Sequence, residues 1–200
     1  MMNKKTKYML KSALILPVIG LLSACISLGT DPLPSMLTLK SNQMLDAGQV
    51  KSLNNENGLV IALPLLPRKL DTTRIPVQID DQNIAYLTQT AWVDKPNNLF
   101  QSLLMEQISA GSNFVVMDEE QGFGKNIQRI SIKFHEFGID SRTNQAMIIA
   151  DVTRHHPVNM PITKRFAANV PVAEIAPSQA GYSLNKAANM VAADILTWIK

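Results

Sequence analysis

One cysteine, Cys25, is the feature that most narrows what this chain can fold into. A single thiol excludes a disulfide framework within the chain and a cysteine-based zinc cluster. The fold must therefore be held together by an apolar core. With 200 residues, of which 46% are hydrophobic and 18% charged, the chain is long enough to bury such a core and too apolar for a disordered protein.

The residues ahead of Cys25 have the three parts of a secretory signal. Four lysines and no acidic residue mark a basic start, an apolar run of ten residues follows at 13–22, and small residues precede the cysteine. As a helix, the apolar run would be about 15 Å long, which is half the thickness of a bilayer core. The pattern predicts a signal peptide over residues 1–24.

The four residues that close this segment, Leu22, Ser23, Ala24 and Cys25, match the lipobox of bacterial lipoproteins. The small side chains of Ser23 and Ala24 let a signal peptidase reach the backbone beside the cysteine. The thiol then takes a diacylglyceryl group and the freed amine an N-acyl chain, which together hold a protein on a membrane at ~0.8 kcal/mol per buried CH₂. The alternative is a plain signal peptide with an incidental cysteine. We expect this covalent lipid on Cys25 and no other cofactor.

Residues 25–35 are predicted to form the lipidated cysteine and a short tether, because glycine and proline interrupt any regular structure there. Ten extended residues reach at most about 35 Å, so the domain that follows should lie near the membrane. In enterobacterial lipoproteins, Asp after the cysteine tends to retain the protein in the inner membrane, and here that residue is Ile26. We therefore expect an outer-membrane location, facing the periplasm.

The net charge of +3 comes from the signal segment. Without the four lysines of residues 1–24, 15 of the 19 basic residues remain against 16 acidic ones, so the rest of the chain is close to neutral. The high isoelectric point is thus no argument for nucleic-acid binding.

Apolar periodicity predicts one α+β domain over residues 36–200, with a mixed, largely antiparallel sheet packed by two amphipathic helices. Clean alternation at 129–135 indicates a half-buried strand, and the change of parity at 136–139 indicates a bulge or the strand's end. Pro96 suits the first turn of the first helix, for which Asp94 or Asn97 is the expected cap and Gly111 the expected stop. The other predicted elements are strands at 36–39, 59–63, 76–79, 84–93, 114–117, 146–153 and 162–170, and a last helix at 178–199.

Five segments also follow one another in a recognisable order: a strand at 37–39, an apolar strand at 60–64 that ends in proline, the stretches 74–79 and 92–96, and the helical stripe 100–108. In this order they resemble the ABC-type transport auxiliary lipoproteins, the PqiC/YmbA-like group. The resemblance implies a fold like the N-terminal domain of TolB. It also implies an outer-membrane lipoprotein that works with a periplasm-spanning MCE-type protein and an inner-membrane transporter component, on a lipid or other hydrophobic cargo, as a ring-like homo-oligomer. It brings no catalytic residues.

The sequence has few residues in patterns typical of catalysis or metal binding, and we do not expect an enzyme. The adjacent His155 and His156 would point to opposite faces of a strand, and His135 falls on the solvent side, so surface histidines are expected rather than a metal site. The glycine-rich stretch 122–125 lacks the Walker spacing and is interpreted as a turn.

Three residues are weak candidates for a partner interface. Trp92 is either an interface anchor or a core residue. Arg154 and Arg165, with Lys164, form either a basic patch or an ordinary charged surface. Two other functional classes remain open: a structural lipoprotein that assists envelope assembly, of the lipopolysaccharide-assembly or secretion-pilotin type, and an anchored periplasmic enzyme.

Overall fold

The computed structural model describes residues 35–54, 56–121 and 127–200. The predicted signal peptide, the lipobox with Cys25, nearly all of the tether and the stretch 122–125 lie outside these residues. Within them the chain forms nine strands and two helices: β1 Ser35–Leu37, β2 Gly58–Ile61, β3 Pro76–Gln78, β4 Ile84–Tyr86, β5 Thr90–Trp92, α1 Pro96–Gly111, β6 Val115–Met117, β7 Gln128–Asp140, β8 Gln145–His156, β9 Asn159–Pro171 and α2 Pro177–Ile199.

An antiparallel meander of β7, β8 and β9 forms the long part of the main sheet. The other edge of β7 pairs in parallel with β2 near its start and with β3 near its end, and β6 and β4 flank these two short strands. A separate pair, β1 with β5, is parallel. The sheet is therefore mixed but largely antiparallel by length, and two helices accompany it, as predicted.

One face of the meander is buried and the other is not. In β8, Ala146, Ile148, Ala150 and Val152 are fully buried, whereas the residues between them are half-buried. Alternate side chains of a strand point to opposite faces, so the even positions of β8 face the helices. Helix α2 packs on β8 and β9 and also contacts α1.

The core on that face is rich in aromatic rings. Phe100 of α1 makes edge-to-face contacts with Phe134 and Phe137 of β7, at centroid distances of 5.1 and 6.4 Å. Such contacts add to the burial of apolar area, which is the main force that holds a helix on a sheet. Phe100 and its buried neighbours Leu103, Leu104 and Ile108 form the stripe expected from helical spacing.

Two local expectations, the strand at 84–93 and the cap of the first helix, differ from the structure. The stretch 84–93 is two strands, because Gln89 has a φ of 57° and breaks the extended backbone before β5. The cap of α1 is Lys95, without a side-chain hydrogen bond. Asp94 lies one residue too early, where its carboxylate accepts hydrogen bonds from Asn98 instead, and Asn97 lies within the helix.

The expected irregularity of β7 is a bulge, located between Phe134 and Glu136, and the strand continues to Asp140. Strand β9 begins at Asn159, earlier than expected, because β8 extends to His156 and offers it a pairing partner. Among the described residues, no helix is long and apolar enough to cross a membrane.

Candidate functional site

Trp92 lies in the core. It is fully buried and meets Phe137 edge to face at 6.0 Å. The last residue of β5 is thus packed between the short β-pair and the main sheet, and it presents no surface to a partner. Its indole Nε1 has no hydrogen-bond acceptor among the described residues.

Arg154 and Arg165 lie on opposite faces of the sheet and do not form one basic patch. Arg154 follows Val152 by two residues and lies on the helix-covered face, where its guanidinium donates to Oε1 of Gln128 at 2.8 Å. Arg165 pairs across the strands with Asp151, on the other face. The correction follows from the register, because Lys164 and not Arg165 lies opposite Val152.

Arg165 belongs to a charged cluster with Asp151 and His135. Its Nε donates to one oxygen of the Asp151 carboxylate at 2.7 Å, and Nε2 of His135 lies 2.7 Å from the other oxygen. These hydrogen bonds, that of Arg165 first, hold the pKa of Asp151 well below its usual range. The same pair raises the pKa of Arg165. The cluster is compact and satisfied, which suits cross-strand stabilisation better than catalysis.

A second histidine, His155, contacts a hydroxyl. Nε2 of His155 and Oγ of Ser131 are 3.0 Å apart on the same open face of the sheet. A nucleophile and base at this distance would need a third group to orient the histidine, and within the described residues His155 has no other side-chain partner. Among all the residues that the structure describes, no group of three His, Cys, Asp or Glu side chains could hold a metal ion.

The end of the β8–β9 hairpin, residues 154–164, exposes several large apolar side chains. Val158 is 82% exposed, Met160 84% and Ile162 60%. Scattered exposed apolar residues are common in soluble proteins, but here three lie within five positions at one turn. We call this segment the hairpin tip.

The hairpin tip is exposed because it extends beyond the helix that covers the rest of β9. Phe166, Ala168 and Val170 of β9 are buried on the helix side, and Ile162 has the same parity. Trp198, next to the end of α2, packs on Phe166 with ring centroids 5.6 Å apart. Strand β9 therefore extends past the end of α2, and the side chains on its helix-facing side are no longer covered by the helix there.

A cleft of about 410 Å³ lies at the base of the hairpin tip, between β9 and the last turns of α2. Lys164 extends over the ring of Phe166, with Nζ 4.9 Å from the ring centroid. Asp194, Thr197 and Trp198 form the helix wall of the cleft. Sequence reasoning did not identify this surface, although one signal was available, since apolar residues at 157–162 alternate with two prolines and one asparagine in a stretch that carries no acid.

Comparisons with known proteins place this fold. A family model described as the ABC-type transport auxiliary lipoprotein component matches residues 39–196. No curated protein matches the chain significantly in sequence. Among solved structures, an uncharacterized protein aligns with a TM-score of 0.66 at 15% identity, over 82% of this chain and 99% of its own.

A Xanthomonas campestris protein of the DUF330 family aligns with a TM-score of 0.64 at 14% identity, over 83% of this chain and 92% of its own. At these identities the likeness shows the fold alone. The predicted α+β class is thereby confirmed.

Proposed function

Because the chain belongs to the family of ABC-type transport auxiliary lipoproteins, we propose that it is an outer-membrane lipoprotein that serves an intermembrane transport system as a non-catalytic docking subunit. The family match over residues 39–196 is the observation that carries this proposal, since it spans nearly the whole domain. An auxiliary component joins or positions other subunits, and the energy source belongs to its partners.

The lipobox supports the anchor. Diacylglyceryl and N-acyl chains on Cys25 would hold the chain on the membrane, after peptidase recognition of Leu22, Ser23 and Ala24. Ile26 supports the outer membrane, and the short tether keeps the domain close to the bilayer.

The partners that we propose are a periplasm-spanning MCE-type protein and an inner-membrane transporter component, with lipid or another hydrophobic molecule as cargo. We also propose a homo-oligomer, because a ring would surround a transport path. Light scattering of the protein purified in detergent measures this directly. A monomer at all concentrations would contradict the ring and leave the docking role intact.

The experiment that tests the anchor compares two variants in cells fed with labelled palmitate. Cys25→Ser should lose the label and leave the membrane fraction. The double variant Cys25→Ser/Ser27→Cys keeps one thiol but moves it off the lipobox position, and it should also stay unlabelled. Label on either variant would contradict the proposal. Ile26→Asp should keep the label and shift the protein toward the inner membrane.

The docking role is tested by crosslinking in intact cells, with mass spectrometry of the captured protein. Recovery of an MCE-type protein supports transport. Recovery of an outer-membrane barrel or a secretin instead would favour the assembly class. A hydrolase screen completes the test, and any activity that Ser131→Ala abolishes would contradict a non-catalytic role, because Ser131 contacts His155.

A further inference from the structure

The hairpin tip combines apolar and cationic groups in one small area. Ile162 lies directly opposite Arg154 in the β8–β9 pairing, and Lys164 lies opposite Val152, so both cations border the exposed Ile162 on the helix-side face. Val158 and Met160 extend the apolar area to the turn itself. An apolar centre with charges at its border is the arrangement found in protein interfaces.

The hairpin tip has no acidic residue of its own, and Asp194, which lines the same cleft as Lys164, forms no ion pair with it among the described residues. Between Asp151 and Glu174 the sequence has three basic residues and no acidic one. Arg165 is neutralised by Asp151, whereas Arg154 meets only the neutral amide of Gln128 and Lys164 only an aromatic ring among the described residues. The surface is therefore positive, and a complementary partner is negative.

The hairpin tip lies at the end of the domain opposite to β1, the strand to which the tether connects along the chain. The tether enters at β1, where Leu37 lies against Gly181 in the first turns of α2. Strand β9 finishes at this same end of the sheet. The backbone N–H of Val172, just after β9, donates to the carbonyl oxygen of Asn144 in the β7–β8 turn. Along the 13 residues of β9, the hairpin tip is about 40 Å away.

We propose that the hairpin tip is a docking prong whose occupant is a protein of the transport system, and that this protein offers an apolar hollow bordered by carboxylates. The inference rests on the proposed function and adds to it the surface and the chemistry of the partner. Because the predicted anchor connects to the domain at β1, a domain that stands on the membrane at its β1 end directs the prong into the periplasm.

Two other occupants fit less well. A second copy docked tip to tip would bring an equally positive surface, and like charges at close range repel. In a ring the tip would instead meet a different face of its neighbour, and an adduct with a second copy in the test below identifies that contact. An anionic membrane surface would attract the same groups. However, a domain that stands on the membrane at its β1 end holds the turn of the hairpin about 40 Å from the bilayer, and these groups reach the lipid only when the domain lies on its side or inverts on a stretched tether.

The test places a photo-activatable benzoylphenylalanine in the full-length, lipidated chain in intact cells, at Val158 or at Met160. The control position is Tyr182, which is 69% exposed on α2, next to Gly181. We expect an adduct with the MCE-type protein from both tip positions, at least about fivefold above that from Tyr182.

Each other outcome overturns the inference. An adduct only with a second copy, or only with lipid, would show that the proposed occupant is wrong. The absence of any adduct from the tip positions would show that the hairpin tip is not a docking surface. If Tyr182 captures the MCE-type protein and the tip does not, the proposed function stands and the inference alone fails. If no surface position captures it, the proposed partner fails as well.

A charge variant supplies an independent measurement. Lys164→Glu, combined with the crosslinker at Val158, should lower the yield of the MCE-type adduct about fivefold, because a positive border group becomes negative. The matched control is Lys133→Glu, an exposed lysine on the open face of β7, which should leave the yield unchanged. Equal yields from both variants would contradict charge complementarity at the hairpin tip.

Discussion

Arg142 holds both carboxylate oxygens of Asp140 at the turn between β7 and β8. Its Nε donates to Oδ1 at 2.9 Å and its Nη2 to Oδ2 at 2.7 Å. The Asp140 side chain is only 8% exposed. The guanidinium holds the pKa of this carboxyl below its usual range. The pair closes the turn from which the long hairpin of β7 and β8 extends.

Asp140→Asn should lower the free energy of unfolding by about 1–3 kcal/mol, because a buried charge-assisted pair becomes a neutral one. The matched control is Asp81→Asn. Asp81 also contacts Arg142, but its side chain is 91% exposed, so its loss should be smaller. Urea unfolding followed by circular dichroism measures both. Equal losses would mean that burial adds nothing to this pair.

The free energy of unfolding should decrease as the pH is lowered, and Asp151 should account for part of this decrease. Its pKa is lower in the folded chain than the value of about 3.9 expected when unfolded, so the unfolded state binds more protons as the pH drops. The stabilisation is complete above that unfolded value and is lost as the pH falls toward the folded one. Urea midpoints at pH 7, 5, 4 and 3 measure this loss, and Asp151→Asn should flatten the profile over the acidic range. An unchanged slope in the variant would exclude Asp151 as a source of acid sensitivity.

Lys51 takes the place of a C-terminal cap for α1. Its ammonium donates to the carbonyl oxygens of Ser109 and Ser112, the latter at 2.7 Å, although the last turn of the helix has no basic residue of its own. A cation there satisfies free carbonyls and opposes the helix dipole. Lys51→Met should reduce the free energy of unfolding by roughly 1–2 kcal/mol, as measured by urea unfolding. Lys40→Met, at an exposed position, is the control and should change little.

Gly138 lets β3 approach β7. A Cβ at this position would lie 2.5 Å from the carbonyl oxygen of Pro76, a backbone atom that has no freedom to move aside. Gly138→Ala should therefore lower stability by about 1–3 kcal/mol, as overpacking does. In Gly181→Ala the nearest atom belongs to the flexible side chain of Leu37, at 3.0 Å, and helix propensity favours alanine. Thermal unfolding should thus rank Gly138→Ala as clearly the less stable variant, and the opposite ranking would contradict the close approach.

The sequence alone determined much of the local structure. The alternation at 129–135 predicted β7, and the apolar stripe predicted α1. The change of parity after His135 predicted either a bulge or the strand's end, and the structure has the bulge. These features depend on the period of side-chain directions along the chain, which neighbouring residues carry by themselves. The family resemblance followed from the same patterns, and the family match confirmed it.

Tertiary structure decided which groups meet. The sequence left Arg154, Lys164 and Arg165 as either a basic patch or an ordinary charged surface. The register of β8 against β9 puts Arg165 on the face opposite to the other two. Trp92 had two interpretations, and its burial follows from packing against Phe137, which lies 45 positions away in the chain. Pairing register and long-range contacts depend on the sum of many distant interactions, which no local pattern contains.

The hairpin tip shows the same division most clearly. In the sequence, the apolar residues at 157–162 fall on alternate positions, as they do in a half-buried strand. They are exposed because α2 ends beside Phe166 while β9 continues past it. The relative lengths of a strand and the helix that covers it become meaningful only when the two are packed together, so the surface that we propose as the prong exists only in the folded chain.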